Sequence, residues 1–181
     1  MEQGQIQNLI NKCAKGDTKA FALLVAEFQP LVYRLAFRLL CNEDEARDMV
    51  QETFIKVWLS IGRYDAKFRF STWIYKITAN TCYDKLRAVQ FPADAIDIST
   101  VPLLSGEDIE KHLINRELRE LIIALTAELT PAQRLVFTLR DLEELETAEV
   151  ETVTGLSAAQ IKSNLYLARK YIRERIQILN I

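Results

Sequence analysis

Apolar residues recur every three or four positions through most of this 181-residue chain, and that spacing makes helix the dominant structure. The clearest stripe is Ile161, Leu165, Ala168, Ile172 and Ile176, at steps of four, three, four and four. Only five glycines are present, and strictly alternating β-branched runs are scarce. The chain therefore reads as all-α.

Local signals place the elements. A first helix is expected over Gln5 to Ala14, with Asp17 as the N-cap of a long helix from Thr18 to Leu40. Pro30 lies inside that helix, so a kink or break is expected near Gln29. Asn42, with Glu45 three residues on, fits a capping pattern, and acids follow in the first turn. In this third helix Ala46, Met49, Val50, Thr53, Val57 and Ile61 share one face, while Asp44, Asp48, Gln51 and Glu52 line another. "RYDAKFRF" has no clean period and reads as a loop before a helix from Ser71 to Arg87.

From Ala88 to Glu110 the character changes. Pro92, Pro102, Gly106 and five acids occur with no basic residue, the composition of a linker. Helical pattern resumes from about Ile109 to Leu129. Thr130-Pro131-Ala132-Gln133 is a capping box with proline at the first helical position, opening a helix that ends near Leu142. A short helix from Thr147 to Thr154, a turn at Gly155 and a second box at Ser157–Gln160 complete the chain. The organisation is two small helical domains, 1–90 and 111–181, joined by a flexible acidic linker, 91–110. Each half alone has a marginal core, to which a bound partner would add stability.

Bulk properties narrow the classes. Apolar residues are 49% of the chain, too many for a disordered one. The longest apolar stretches are interrupted by charge, and the start lacks a basic segment followed by an apolar run, so neither a membrane span nor a signal peptide is read and the expected location is the cytoplasm. Cys13, Cys41 and Cys82 lie far apart and His112 is the single histidine, which points to free thiols and no metal site. Net charge is -2, yet Arg63–Arg87 and Ser157–Arg175 each carry a balance of +4. Such patches are either localised anion contacts or ordinary solvated helix faces.

Two constellations favour the first of these. The C-terminal short helix, glycine turn and capped helix match a helix-turn-helix, whose second helix enters the major groove. Opposite its core stripe lie Lys162, Ser163, Tyr166, Lys170 and Arg173, with Leu167 at the edge, a set able to meet phosphates, base edges and a thymine methyl. In the N-terminal half Arg63, Tyr64, Lys67, Phe68, Arg69, Phe70, Trp73, Tyr75 and Lys76 interleave cations with rings, as single-stranded DNA requires. Trp73 fits better as a core residue, on one stripe with Ile77 and Asn80. Asn80 itself is either a polar boundary or a residue facing a base pocket.

"DEARDMVQETFIKVW", "FSTWIYKITANTCYDKLR" and "LTPAQRLVFTLRDLE...IKSNLYLARK" resemble the bacterial RNA polymerase sigma factors of the extracytoplasmic-function group, which keep only sigma regions 2 and 4. The resemblance covers nearly the whole chain, in order. It implies that Asp44, Asp48, Gln51 and Glu52 dock on the clamp helices of the polymerase's largest subunit. It implies that the Arg63–Phe70 loop and the following helix open the promoter's minus-ten element, with Asn80 at the pocket for a flipped base. It implies that the helix-turn-helix, with Arg140 approaching from outside, reads the minus-thirty-five element, and that an anti-sigma factor controls the protein. Asn164 and Leu167 stand where the family commonly has basic residues, so an upstream element read with fewer arginine–guanine pairs is expected.

No nucleophile motif or phosphate-cradling loop is present, so an enzyme is not expected and no cofactor is called for. The alternative is a helix-turn-helix regulator that binds duplex DNA without acting as a polymerase subunit. It would need neither the aromatic-basic loop nor the acidic docking helix.

Overall fold

The computed structural model describes residues 1–89 and 121–178; the 91–110 linker and its acids, His112 and the start of the helix expected from Ile109 lie outside them. Among the described residues there are helices and no strands. They are α1 (Gln3–Cys13), α2 (Thr18–Leu40), α3 (Glu43–Ser60), a 3-10 turn at Ile61–Arg63, α4 (Phe70–Val89), α5 (Pro131–Phe137), α6 (Thr147–Thr154) and α7 (Ala158–Ile178). Residues 121–127 are also helical.

The caps act where the local chemistry places them. Asp17 accepts from the Ala20 N–H at 3.0 Å, and Asn42 accepts from the Glu45 N–H at 3.0 Å. Thr130 and Gln133 form a reciprocal capping box with Pro131 next in line. Gly155, at φ 72, takes the left-handed conformation that ends α6 and turns the chain toward α7. α5 passes into a wider π turn at Thr138–Leu142, closed by the Glu143 N–H on the Thr138 carbonyl at 2.9 Å.

α2 runs unbroken through Pro30, which corrects the expected break. Proline frees the carbonyl of Ala26, but both residues are exposed, so water can satisfy it. α2 is also long and apolar enough to cross a bilayer by length and composition, with a mean hydropathy of 1.4. Its apolar face is taken up by α1, α3 and α4.

Two cores result. The first lies among α1 to α4 around Leu24, Val32, Phe54, Val57 and Ile74. The second was not legible as a unit. Leu35, Ala36, Leu39, Tyr75, Ala79 and Cys82 from the N-terminal half pack with Leu135, Val136, Leu139, Leu145, Val150, Val153 and Ile161 from the C-terminal half. The halves therefore share a core. α2 gives the first half of its apolar stripe to one cluster and the second half to the other, while α4 turns a separate face to each. Arg134 fastens the seam: buried, it donates to the Leu39 carbonyl at 2.8 Å, at the negative end of α2.

Cys13 and Cys82 are buried and Cys41 is half-buried, all as free thiols. Burial, with the nearby Glu52 charge, pushes the Cys82 thiol up to about 12.

Candidate nucleic-acid interface

α3 presents its acids as expected. Asp44, Asp48, Gln51 and Glu52 are all exposed along one stripe. Asp44 is engaged by Arg47 at 2.9 Å and Glu52 by Lys56 at 2.7 Å, while Asp48 and Gln51 have no partner among the described residues. The stripe continues into Ile55 and Leu59, both exposed, which the sequence reading missed. Spacing of four, three and four from Asp48 through Glu52 would have found them.

The loop before α4 is arranged around Tyr64. Its hydroxyl donates to the Phe68 carbonyl at 2.6 Å, and its ring meets those of Phe70 at 5.2 Å and Trp73 at 5.4 Å. Burial and the neighbouring Asp65 raise its phenol above the ordinary value, keeping it a donor. Phe68 is 48% exposed, free to meet a base. Phe70 is 4% exposed and packed edge-on against Phe28 at 5.2 Å, which corrects its placement among residues that meet DNA. It opens α4 rather than ending the loop, and there its side chain faces the core. It supports Tyr64 from beneath. Trp73 is half-buried on the same aromatic cluster.

Arg63, Arg69, Lys76 and Asn80 are exposed, with no hydrogen-bond or ion-pair partner among the described residues. Lys67 holds Asp65 loosely, at 3.5 Å. One face of α4 is thus left to solvent as Lys76 and Asn80. The adjoining face, at Thr72, Tyr75, Ala79 and Cys82, is covered by the C-terminal half. Thr72 also donates to Glu149 at 3.2 Å.

On α7 the stripe from Ile161 through Ala168 packs inward, and Lys162, Ser163, Tyr166, Leu167 and Lys170 face out. Tyr166 is 66% and Leu167 44% exposed, so a ring and an apolar branch stand beside the cations of this face. Arg169 is committed elsewhere, donating twice to Asp141 at 2.8 and 2.6 Å. Arg140 is not brought to this set. Half-buried, it donates to the Leu145 carbonyl and lies 3.9 Å from Glu146, so it ties down the loop in front of the helix-turn-helix.

A cluster centred on Glu143 sits between the halves, and it takes Tyr75, only 6% exposed, out of the aromatic-basic set expected to meet DNA. Glu143, with a side chain 1% exposed, accepts from Arg34 at 2.8 Å, Arg38 at 2.6 Å and Tyr75 at 2.6 Å. In sequence it is one of several acids between Asp141 and Glu151, so only the tertiary fold reveals it. Among the described residues no group of His, Cys, Asp and Glu could hold a metal ion.

A protein whose described residues are helical, with Arg63, Phe68 and Arg69 exposed on the loop before α4, an exposed acidic helix and a capped helix-turn-helix, is of the sigma-factor class. Residues 24–91 match the model of Sigma-70 region 2, and residues 119–172 match that of Sigma-70 region 4. The chain belongs to the sigma-70 family, in its extracytoplasmic-function group. It is 28% identical over 183 residues to the ECF RNA polymerase sigma factor SigW of Bacillus subtilis, covering 96% of this chain and 98% of that one. It is 29% identical over 187 residues to the ECF RNA polymerase sigma-E factor of Escherichia coli, covering 98% and 97%. A solved structure of CnrH in complex with the cytosolic domain of CnrY shares the fold, with a TM-score of 0.70, 21% identity, and 96% and 98% coverage. So does the Bartonella quintana sigma factor RpoE in complex with the anti-sigma factor NepR, with a TM-score of 0.66, 23% identity, and 90% and 98% coverage.

Proposed function

We propose that this chain joins core RNA polymerase as a dissociable subunit and directs it to promoters bearing its minus-thirty-five and minus-ten elements. Asp44, Asp48, Gln51 and Glu52 dock on the clamp helices of the largest subunit. Arg63, Tyr64, Lys67, Phe68, Arg69, Lys76 and Asn80 hold the opened minus-ten strand, with Phe70 as support. Lys162, Ser163, Tyr166, Leu167 and Lys170 meet the minus-thirty-five duplex, with Arg140 fixing the loop before them. The working units are 1–90 and 111–181, with 91–110 as linker. Polymerase carries the chemistry, so the chain itself needs no catalytic group or cofactor. It acts in the cytoplasm, and its second partner is an anti-sigma factor that covers the polymerase-binding face.

The observation that carries this reading is the partnerless set Arg63, Arg69, Lys76 and Asn80 around exposed Phe68, on a protein of net charge -2. A duplex-only regulator has no use for such a surface, whereas unpaired bases need rings and local cations. Adding the chain to core polymerase and measuring initiation on a genomic promoter library tests it. Selective initiation is expected; duplex binding without polymerase recruitment would favour the regulator.

A further inference from the structure

Asn164 lies beside the outward set of α7, and its amide is fixed in one orientation. It is half-buried in the N-terminal part of the helix, in line with Gln160 one turn before and Leu167 one turn after, both exposed. Its Nδ2–H donates to the Gln160 carbonyl at 2.8 Å. Only the nitrogen makes that bond, because an oxygen turned to the same carbonyl would be repelled. Oδ1 is therefore the end left over, and it has no partner among the described residues. The neighbouring side-chain carbonyl is already used. Gln160 Oε1 accepts from the Ser157 N–H at 2.9 Å and from the Ser157 hydroxyl at 3.2 Å.

An amide oxygen accepts hydrogen bonds and never donates one, which restricts what it meets on a duplex. Phosphate oxygens are acceptors, and so are N7 and O6 of guanine, N7 of adenine and O4 of thymine. The donors that base pairs show in the major groove are exocyclic amino groups, N6 of adenine and N4 of cytosine. Lys162 and Lys170 have the opposite preference, and the hydroxyls of Ser163 and Tyr166 serve either. In a helix-turn-helix the N-terminal part of the second helix comes closest to base edges. Leu167 adds a register. It stands about 4.5 Å further along the helix, close to the step of about 3.4 Å between stacked pairs, and its branch suits a thymine methyl. We propose that Asn164 is a specificity residue. Its Oδ1 accepts from an exocyclic amino group at one pair of the upstream element and is repelled by the N7 and O6 of a guanine in that place. Leu167 meets a thymine methyl on the adjacent pair. This rests on the promoter reading above.

The test uses the full chain assembled with core polymerase and a promoter that this enzyme transcribes. In the upstream element each adenine in turn is replaced by purine and each cytosine by pyrimidin-2-one, so that the exocyclic amino group alone is lost. At one position the replacement is expected to cost the unmodified protein about fivefold more affinity than it costs Asn164→Ala, the worth of one hydrogen bond. Every other position should cost the two proteins the same. The arm that responds tells adenine from cytosine. Asn164 bonds within its own helix and alanine is the better helix former, so the variant keeps its fold. Uracil in place of thymine on the adjacent pair should cost about threefold, and Leu167→Ala should abolish that cost. Scans that are identical for the unmodified protein and Asn164→Ala would overturn the assignment. So would a variant that loses affinity alike for every duplex, or a Leu167-dependent methyl on a pair that is not adjacent. Each of these leaves the promoter reading intact. Failure of the unmodified enzyme to initiate at any promoter would overturn both.

Discussion

Tyr75 donates its phenolic hydrogen to Glu143 across the boundary between the halves, with Oη 2.6 Å from Oε2. The same carboxylate takes a forked pair of bonds from Arg34 and one from Arg38, which also holds the Leu142 carbonyl at 2.6 Å. A charge on the loop after α5 is thereby pinned to α2 and α4. Hydrogen bonds of this charged kind are the strong ones, and they are directional in a way that the apolar seam is not.

Glu143→Gln keeps the shape and removes the charge, leaving two guanidiniums without their anion. Breaking a fully buried pair costs about 3–5 kcal/mol. Arg34 is half exposed, so solvent screens part of this and a loss of about 2 kcal/mol is expected. Thermal melting reads the loss, and small-angle scattering should show the halves moving apart.

The same pin should respond to acid. Desolvation pushes the Glu143 carboxyl up, but hydrogen bonds from Arg34 and Tyr75 and the charges of Arg34 and Arg38 outweigh it, so it titrates below its ordinary value of 4.5. A depressed folded value means that the stabilisation is complete above 4.5 and is lost as pH falls through the folded value. The halves should hold together at neutral pH and loosen in a window beginning below 4.5. Glu143→Gln should flatten that acid limb; an unchanged limb would assign it to other carboxylates.

Asn80→Ala should impair promoter opening more than polymerase binding. Asn80 is exposed and partnerless, so its loss leaves the core untouched. Permanganate reactivity of the opened strand, set against core affinity, separates the two effects. Equal loss of both would make Asn80 a structural residue.

On α7, Lys162→Ala and Leu167→Ala should differ in kind. Removing one phosphate-binding cation weakens binding to all sequences alike and lowers the slope of log affinity against log salt by about 1. Leu167→Ala should leave that slope unchanged and relax the preference at one base pair. Binding-site selection with each variant distinguishes them. Recovery of the usual family motif by the unmodified chain would count against a reading with fewer arginine–guanine pairs.

What was legible in the sequence was local. Asn42, Asp17, Thr130 and the Ile161–Ile172 stripe announce themselves because a cap or a helical face depends on residues three or four apart. Phe70 was misplaced because one residue decides whether a ring ends a loop or starts a helix, and the two choices point it in opposite directions. The seam was hidden for another reason. Periodicity says that Leu35, Ala36 and Leu39 are covered, but not that residues about a hundred positions later cover them. The family resemblance suggested work for Asn80 and Asp48 without saying which side chains, such as Arg140, are already engaged.

The shared core also sets a length. Elements named minus-ten and minus-thirty-five stand about 25 base pairs apart, roughly 85 Å at 3.4 Å per pair, whereas Thr72 and Glu149, from the two reading halves, are 3.2 Å apart. A ruler folded at its hinge cannot touch both marks. In this arrangement the chain can lie on one element at a time, and reading both means exposing Leu39, Leu139, Val150 and their neighbours to a new cover. On the function proposed above, polymerase is the body large enough to unfold the ruler and hold it open, which would give the ability to measure a promoter to the complex and not to the chain alone.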